Sequence, residues 1–414
     1  FALPAGEARP DWQIVCHVAK AMGFEGFNFT SPHEVFSEHA ALTAVNNDGD
    51  RQLNLSGLAG LSKREYDQFT PKQWPISSDY PDGRKRLFRN GIFSTETHRA
   101  NFIPVTPELP ILTANNAGFI LNSGRLRDQW HTMTRTGKAS VLLEHSPFPQ
   151  LDIHPYDAER LGLQTNELVK LRNHTGEALL TINISDAQRR NELFAPIHWS
   201  DSFASSAAIN RLFPRITDPL SGQPQSKQAH VFLTKACFAH YGQLHSRQPS
   251  NIRGDFWQQV KTEYGFLTDF AFKQPIDDVL SWCQGQVAGS GEWSYRQASQ
   301  THYLCRWQAC QLDTVIVIGK DRQTIDRAWF NYVFEQHQLE LPILSALLSG
   351  RIDNQFAKGK TVCSCFNVDE KAIEDAIASG ITTVEALGDK LQCGKNCGSC
   401  KPELQQLIER CPSG

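Results

Sequence analysis

The residues best placed to do chemistry in this chain are cysteines near its end. Cys363 and Cys365 stand one residue apart, a cysteine-free stretch follows, and then come Cys393, Cys397, Cys400 and Cys411. Thiolates are soft ligands, and two close pairs brought together offer a four-sulfur site for zinc or for an iron–sulfur cluster. Zinc modules usually leave two or more residues between paired ligands. The single residue between Cys363 and Cys365 therefore favours iron–sulfur.

Short helices are expected to carry these thiols. Asn367 with Glu370 reads as a capping box, followed by an apolar stripe of Val368, Ala372, Ile373, Ala376 and Ile377, and Gly380 stops the helix. Thr382 with Glu385 repeats the box ahead of Val384, Leu387 and Leu391. A third helix begins near Pro402, with Leu404, Leu407 and Ile408 facing in. The cysteines then lie on loops at helix ends, where free backbone N–H groups and the positive end of a helix dipole favour an anionic metal–thiolate centre. Gly394 and Gly398 let the backbone come close to sulfur.

The stretches Thr361-Val-Cys-Ser-Cys-Phe-Asn-Val368 and Asn396-Cys-Gly-Ser-Cys-Lys-Pro-Glu-Leu404 resemble the bacterioferritin-associated ferredoxin-like [2Fe-2S] domain. The resemblance implies a small all-α helical domain whose cluster is held by Cys363, Cys365, Cys397 and Cys400. Cys393 rivals Cys397, which keeps the short final spacing of that family. Cys411 reads as a packed or surface thiol, and Cys16, Cys237, Cys283, Cys305 and Cys310 as small buried hydrophobes.

Upstream, Asp11 is expected to cap a helix through Met22, with Trp12, Val15, Ala19 and Met22 on its apolar face and Gly23 closing it. Residues 46–89 read as loop-rich. Short strands are expected at Phe102–Val105, Ile111–Leu112, Gly118–Leu121, Val141–Leu143, Leu168–Leu171, Ala178–Ile184 and Leu193–Ile197. Ala178, Leu180, Ile182 and Ile184 alternate with period two, which turns one face inward. Asn173–Gly176 supplies a hairpin turn. His154-Pro155 starts a short helix that Gly162 closes. Many strands with few helices point to a closed or nearly closed β barrel of mixed type. Residues 236–360 carry weaker signals: a loop at Gln284–Gly291, a buried strand at Val315–Ile318, a helix from Arg327 to His337 and an apolar stretch at Leu341–Leu348.

Within the strand-rich region, three stretches are similar, in order, to the C-terminal domain of bis-molybdopterin-guanine-dinucleotide oxidoreductases: Asn122–Thr136, Asp152–Leu163 and Asp218–Pro224. The resemblance implies a double-psi β barrel. It also implies pterin contacts from Ser123, Gly124, Arg125, Gln129, Trp130, His131 and Thr132, completed by Asn210 and Lys227. These types suit a polyanionic dinucleotide, supplying backbone and side-chain donors, a guanidinium and a flat ring.

A barrel of this kind followed by such a tail resembles the catalytic subunits of bacterial assimilatory nitrate reductases. The implied organisation is multidomain: 1–100 the end of the oxidoreductase body, 101–236 the dinucleotide-binding barrel, 237–358 an α/β connecting region and 359–412 the [2Fe-2S] domain. The implied cofactors are a molybdenum bis(molybdopterin guanine dinucleotide), the [2Fe-2S] cluster, and a [4Fe-4S] cluster in a part of the family pattern that precedes Phe1. The implied partners are nitrate and a flavoprotein or ferredoxin donor. A formal net charge of -3 gives no reason to expect nucleic acid, and no apolar run approaches the roughly 20 residues of a spanning helix, so a cytoplasmic location is expected. Alternatives are another molybdopterin oxidoreductase acting on formate or a different oxyanion, a non-catalytic cluster-binding module, and a zinc-based interaction domain. No catalytic residue is assigned within this sequence. The isolated chain is accordingly expected to show no nitrate turnover, and a rate assay with a small artificial electron donor checks this.

Overall fold

In a computed structural model of the chain, the described residues are 4–104, 118–287, 290–308, 311–322, 327–336, 340–350 and 359–411. The chain divides into two compact units, Phe1–Leu109 and Pro110–Gly414.

The first unit contains helices α1 (Asp11–Ala21), α2 (Pro32–Leu42) and α3 (Lys63–Asp67). Its core is small, formed by Ala40, Leu58 and Ile76 with Phe36, Leu55, Ala59 and Leu61 around them. Two expectations for α1 fail. Pro10 occupies the cap position without a side-chain hydrogen bond, and Asp11 is the first helical residue. Cys16 and Ala19 are the buried positions of α1, while Ile14, Val15, Val18 and Met22 are exposed. Residues 102–104 form no strand, and Ile111–Leu112 lies outside the described residues.

The second unit opens with a six-stranded closed barrel. Its strands are β1 (Phe119–Gly124), β2 (Gln150–Ile153), β3 (Leu168–Arg172), β4 (Glu177–Ile184), β5 (Glu192–Pro196) and β6 (Ala229–Lys235), with helix α4 (Pro155–Leu161) after β2. The order around the barrel is β1-β5-β2-β4-β3-β6, and β6 pairs back onto β1. β1/β5 and β2/β4 are parallel and the other pairs antiparallel, which gives the mixed character expected. The alternation in β4 places Ala178, Leu180 and Ile182 inside, and Leu121, Leu151, Ile153, Val169, Leu171 and Leu193 meet them there. Burying each large aliphatic side chain contributes about 1.5–3 kcal/mol. The Asn173–Gly176 turn forms as expected, with the Asn173 N–H bonded to the Gly176 carbonyl at 3.0 Å. Gly162 closes α4 in the left-handed conformation at φ 63°. Val141–Leu143 is not a strand: it belongs to a 3₁₀ turn, Ser140–Leu143, in which Leu143 alone is buried.

The connecting region, weakly marked in the sequence, is a second sheet. It comprises β7 (His240–Ser246), β8 (Phe256–Thr262), β9 (Gly265–Phe272), β10 (Glu292–Ala298), β11 (Thr301–Gln308) and β12 (Gln311–Gly319), in the order β10-β11-β12-β7-β9-β8, antiparallel throughout. Helix α5 (Val279–Gly285) covers the face carrying Leu244, Phe270, Leu304, Ile316 and Ile318. Helices α6 (Arg327–Glu335) and α7 (Leu341–Ser349) cover the opposite face through Trp329, Phe330, Val333 and Leu347 against Cys305, Val315 and Val317. Helix α5 takes up the start of the loop expected at Gln284–Gly291. The sheet escaped notice because several inward residues are polar: Gln258, Thr268 and Asp269 are buried, and Gln258 Nε2 donates to Asp269 Oδ2 at 2.9 Å. Asp269 also pairs with Arg322, whose other nitrogen reaches the Asn166 carbonyl on the barrel.

The tail adds β13 (Thr361–Cys363), β14 (Val368–Asp369), α8 (Glu370–Ala378), α9 (Val384–Leu391) and α10 (Lys401–Arg410). The paired β13 and β14 show that the tail is not purely helical. The caps differ from expectation by one or two residues. Asp369 caps α8 through the Ala372 N–H, Thr383 caps α9 through the Ala386 N–H, and Asn367 is in the left-handed region at φ 51°. Ile373, Ile377, Leu387, Leu404 and Leu407 form the core as read.

Ile182, fully buried in the barrel, is expected to cost about 2–5 kcal/mol when truncated to alanine, because neighbouring strands cannot close the cavity. The shift in the denaturant midpoint of the barrel checks this.

Candidate functional site

The barrel's register gathers four separate segments at one end. β5 runs parallel to β1, so the chain leaving Gly124 and the chain leaving Pro196 emerge together. β6 runs antiparallel to β1 and β3, which brings its start, just after Lys227, to the same end as the Asn173–Gly176 turn. Asn173 Nδ2 donates there to the carbonyls of Leu212 and His230, tying in the 3₁₀ turn Ile209–Leu212 that holds Asn210.

The residues expected to contact a pterin divide by orientation. Arg125, Trp130, His131, Thr132, Asn210 and Lys227 are exposed. The Arg125 guanidinium lies 5.9 Å from the Trp130 ring centroid, and His131 meets the same indole edge-on at 4.7 Å. Ser123 and Gln129 face inward instead. Ser123 Oγ donates to the Ser226 carbonyl beside Lys227, and Gln129 Nε2 donates to the Leu142 carbonyl at 2.7 Å. Gly124 packs under Phe194, where an added Cβ would meet the ring at 2.7 Å. The inward residues fix the loop and the exposed ones line its outer side.

His198 was not singled out from the sequence, yet it holds this loop in shape. Its Nε2 accepts from the Leu126 N–H at 2.8 Å and its Nδ1 donates to the His131 carbonyl at 2.7 Å. This needs the neutral imidazole. Burial lowers its pKa below the ordinary histidine value, more than the His131 hydrogen bond raises it, so the neutral form is the stable one. The sequence signal for it was its position two residues past the end of β5.

In the tail, the thiols stand as two pairs. Cys365 and Cys397 are exposed, with their sulfurs 3.3 Å apart. Cys363 and Cys400 are buried and share a hydrogen bond. Burial and the neighbouring Cys363 push the Cys400 thiol up to about 12, and hydrogen bonds from Ser399 hold Cys397 below its usual value. A bound cation would favour the thiolate that burial disfavours at Cys400. Among the described residues, no group of three or more His, Cys, Asp or Glu is arranged to hold a metal ion. The four thiols of the two pairs are soft donors of the kind that iron–sulfur clusters and zinc take. Cys393 is buried in the tail core near Cys363, and burial raises its pKa. Cys16, Cys283 and Cys305 are buried as expected, Cys237 is exposed, and Cys310 lies outside the described residues.

The two sites touch. Arg127 donates to the Val362 carbonyl and lies 2.9 Å from Glu403 in α10, while Ser364 Oγ donates to Asp128 at 2.8 Å. His145 and Lys360 each stand 3.5 Å from the Glu403 carboxylate.

Residues 119–230 match the molydopterin dinucleotide binding domain, and residues 361–410 match the BFD-like [2Fe-2S] binding domain. This chain is thus similar to both domain families, in that order along its length. Its similarity extends over nearly all of its length to the nitrate reductase of Klebsiella oxytoca, at 38% identity over 99% of this chain and 47% of that protein. The nitrate reductase of Shewanella frigidimarina (strain NCIMB 400) follows at 30% identity, with the same coverage of 99% and 47%. The assimilatory nitrate reductase catalytic subunit of Bacillus subtilis (strain 168) is 28% identical over 55% of this chain and 31% of that protein. The chain thus spans about half the length of the first two relatives. Among the described residues, no helix is long and apolar enough to cross a membrane.

Glu403 gives the contact between the barrel and the tail a pH signature. Burial raises its pKa, but the His145 hydrogen bond and the charges of Lys360, His145 and Arg127 outweigh this and bring it from 4.5 to about 2. Its contribution to docking is complete above the unfolded value of 4.5 and is lost as pH falls from there toward about 2. An energy-transfer pair placed on barrel and tail should report loosening across that window, and Glu403→Gln should remove the step.

Proposed function

We propose that this chain is part of a molybdenum-dependent nitrate reductase, binding one portion of a bis(molybdopterin guanine dinucleotide) and relaying electrons through a [2Fe-2S] cluster during reduction of nitrate to nitrite. The observation that carries the reading is the presence of both cofactor-binding domains on one chain that resembles nitrate reductases along 99% of its length. In this reading the barrel is of the double-psi type, its two parallel strand pairs being consistent with that. The domains run over 101–236 and 359–412, with the region 237–358 between them, and the protein acts in the cytoplasm in nitrate assimilation.

The molybdenum centre supplies oxygen-atom transfer, and the protein supplies binding and orientation. Arg125 and Lys227 offer cations to the pyrophosphate, and Trp130, His131, Thr132 and Asn210 offer an exposed ring and polar groups around the dinucleotide. Ser123, Gly124 and Gln129 hold the loop that presents them. Cys363, Cys365, Cys397 and Cys400 hold the cluster. The exposed pair, Cys365 and Cys397, marks the side from which a flavoprotein or ferredoxin delivers electrons.

Within a full-length enzyme, Cys397→Ser is expected to cut turnover with the protein donor at least tenfold while a small artificial donor still drives most of the original rate. Equal survival of both activities would show that electrons do not enter through the tail.

A further inference from the structure

The loop after β1 has two sides, and the dinucleotide reading uses one of them. Arg125, Trp130, His131 and Thr132 are exposed, whereas the Arg127 and Asp128 side chains between them are only 18% and 10% exposed. Their hydrogen bonds and ion pairs run to each other and to the tail. Arg127 Nη2 donates to the Val362 carbonyl, immediately before Cys363. Arg127 Nη1 lies 2.9 Å from Glu403, in the helix that begins just after Cys400. Asp128 Oδ2 accepts from Ser364 Oγ at 2.8 Å, and Ser364 is the single residue between Cys363 and Cys365. Arg127 Nε is 3.4 Å from the same carboxylate oxygen, which orients it. Two consecutive residues therefore grip both sequence-distant parts of the cysteine set.

We infer that Arg127 and Asp128 are positioning residues that clamp the cysteine-bearing tail onto the back of the dinucleotide-binding loop and set the electrostatic surroundings of the cluster. The clamp follows from geometry alone; the electrostatic half rests on the [2Fe-2S] reading above. Asp128 is close enough to Cys397, and Arg127 to Cys400, for their charges to act at those sulfurs. Both side chains are mostly shielded from water, so their fields are screened less than those of surface charges. A one-electron reduction adds negative charge to a centre already surrounded by thiolates. The Asp128 carboxylate opposes that step, and the Arg127 guanidinium favours it. The residues that shape the dinucleotide loop thereby also help to decide how readily the neighbouring cluster accepts an electron.

The test uses the whole 414-residue chain, prepared anaerobically with iron and sulfide, and has two readouts. Limited proteolysis measures release of the tail. A dye-mediated redox titration, followed by visible absorbance and electron paramagnetic resonance, measures the cluster. Arg127→Met is expected to release the tail at least tenfold faster without lowering the melting temperature of the barrel. Asp128→Asn is expected to raise the ratio of reduced to oxidised cluster at a fixed potential about tenfold, which is a midpoint about 59 mV higher for a one-electron couple. Asp128→Glu, which keeps the charge, should stay within about twofold of the parent ratio, a distinction that a merely structural role would not produce. Tail release at the parent rate by Arg127→Met overturns the clamp, and an unchanged midpoint in Asp128→Asn overturns the electrostatic role. If Arg127→Met does not fold, Glu403→Gln tests the same ion pair from the tail side by the same two criteria. A preparation that binds no iron–sulfur cluster overturns the proposed function and the electrostatic role together, while its proteolysis still decides the clamp.

Discussion

A partly buried carboxylate held by cations joins the barrel and the tail of this chain. Glu403 sits where α10 meets the barrel, with Arg127 at 2.9 Å and Lys360 and His145 at 3.5 Å. Partly desolvating such a charge is unfavourable unless partners are already in place. The partners come from three distant stretches: the loop after β1, the segment after the 3₁₀ turn at Ser140–Leu143, and the residue leading into β13. None of them satisfies the carboxylate alone. The ion pair thus fixes the tail in one orientation and makes that orientation depend on the shape of the dinucleotide loop.

That loop is shaped from within. His198 bridges its two ends as a neutral imidazole, Ser123 fastens it to the segment leading into β6, and Gln129 ties it to the 3₁₀ turn Ser140–Leu143. The inward residues give the exposed ones a fixed frame, which is what recognition of a large rigid ligand requires, since ordering a loose loop on binding would be costly. The same frame delivers Arg127 and Asp128 to the opposite side. One short segment therefore presents exposed side chains on its outer surface and holds the tail on its inner one.

Much of this was legible in the residues, unevenly. The barrel showed itself where aliphatic residues alternate, as in Ala178, Leu180 and Ile182, and at turns with strong local chemistry such as Asn173–Gly176 and Gly162. It was misread where the apolar run was short: Val141–Leu143 has strand-like side chains, but it follows the 3₁₀ turn Thr136–Lys138 closely and forms a second one with Ser140. The second sheet stayed hidden because β7, β8 and β9 bury Gln243, Gln258, Thr268 and Asp269, which look solvent-facing until their partners are known. Cysteine spacing announced the tail, and the short final spacing to Cys400 is the ground for preferring Cys397 to Cys393. Helix caps were displaced by a residue or two, because Asn367 and Asp369 are both plausible caps and only backbone geometry chooses between them. The contacts between tail and barrel were illegible for a simple reason: Arg127 and Glu403 are far apart in sequence, and nothing local marks either as paired.

The position of β6 has a consequence for how the molecule is made. β6 is the strand that pairs with both β1 and β3 and closes the barrel. On a ribosome, β1 to β5 emerge well before Ala229–Lys235, and until then β1 and β3 each lack a neighbour and present open edges. Pairing across such long sequence separations is slow, because loop closure must precede the contacts that reward it. The dinucleotide loop and the Lys227 segment come together only when that last strand arrives. The nascent chain must therefore remain soluble, with unpaired strand edges, until Ala229–Lys235 has been synthesised, and protection of those edges during synthesis is a requirement built into the topology.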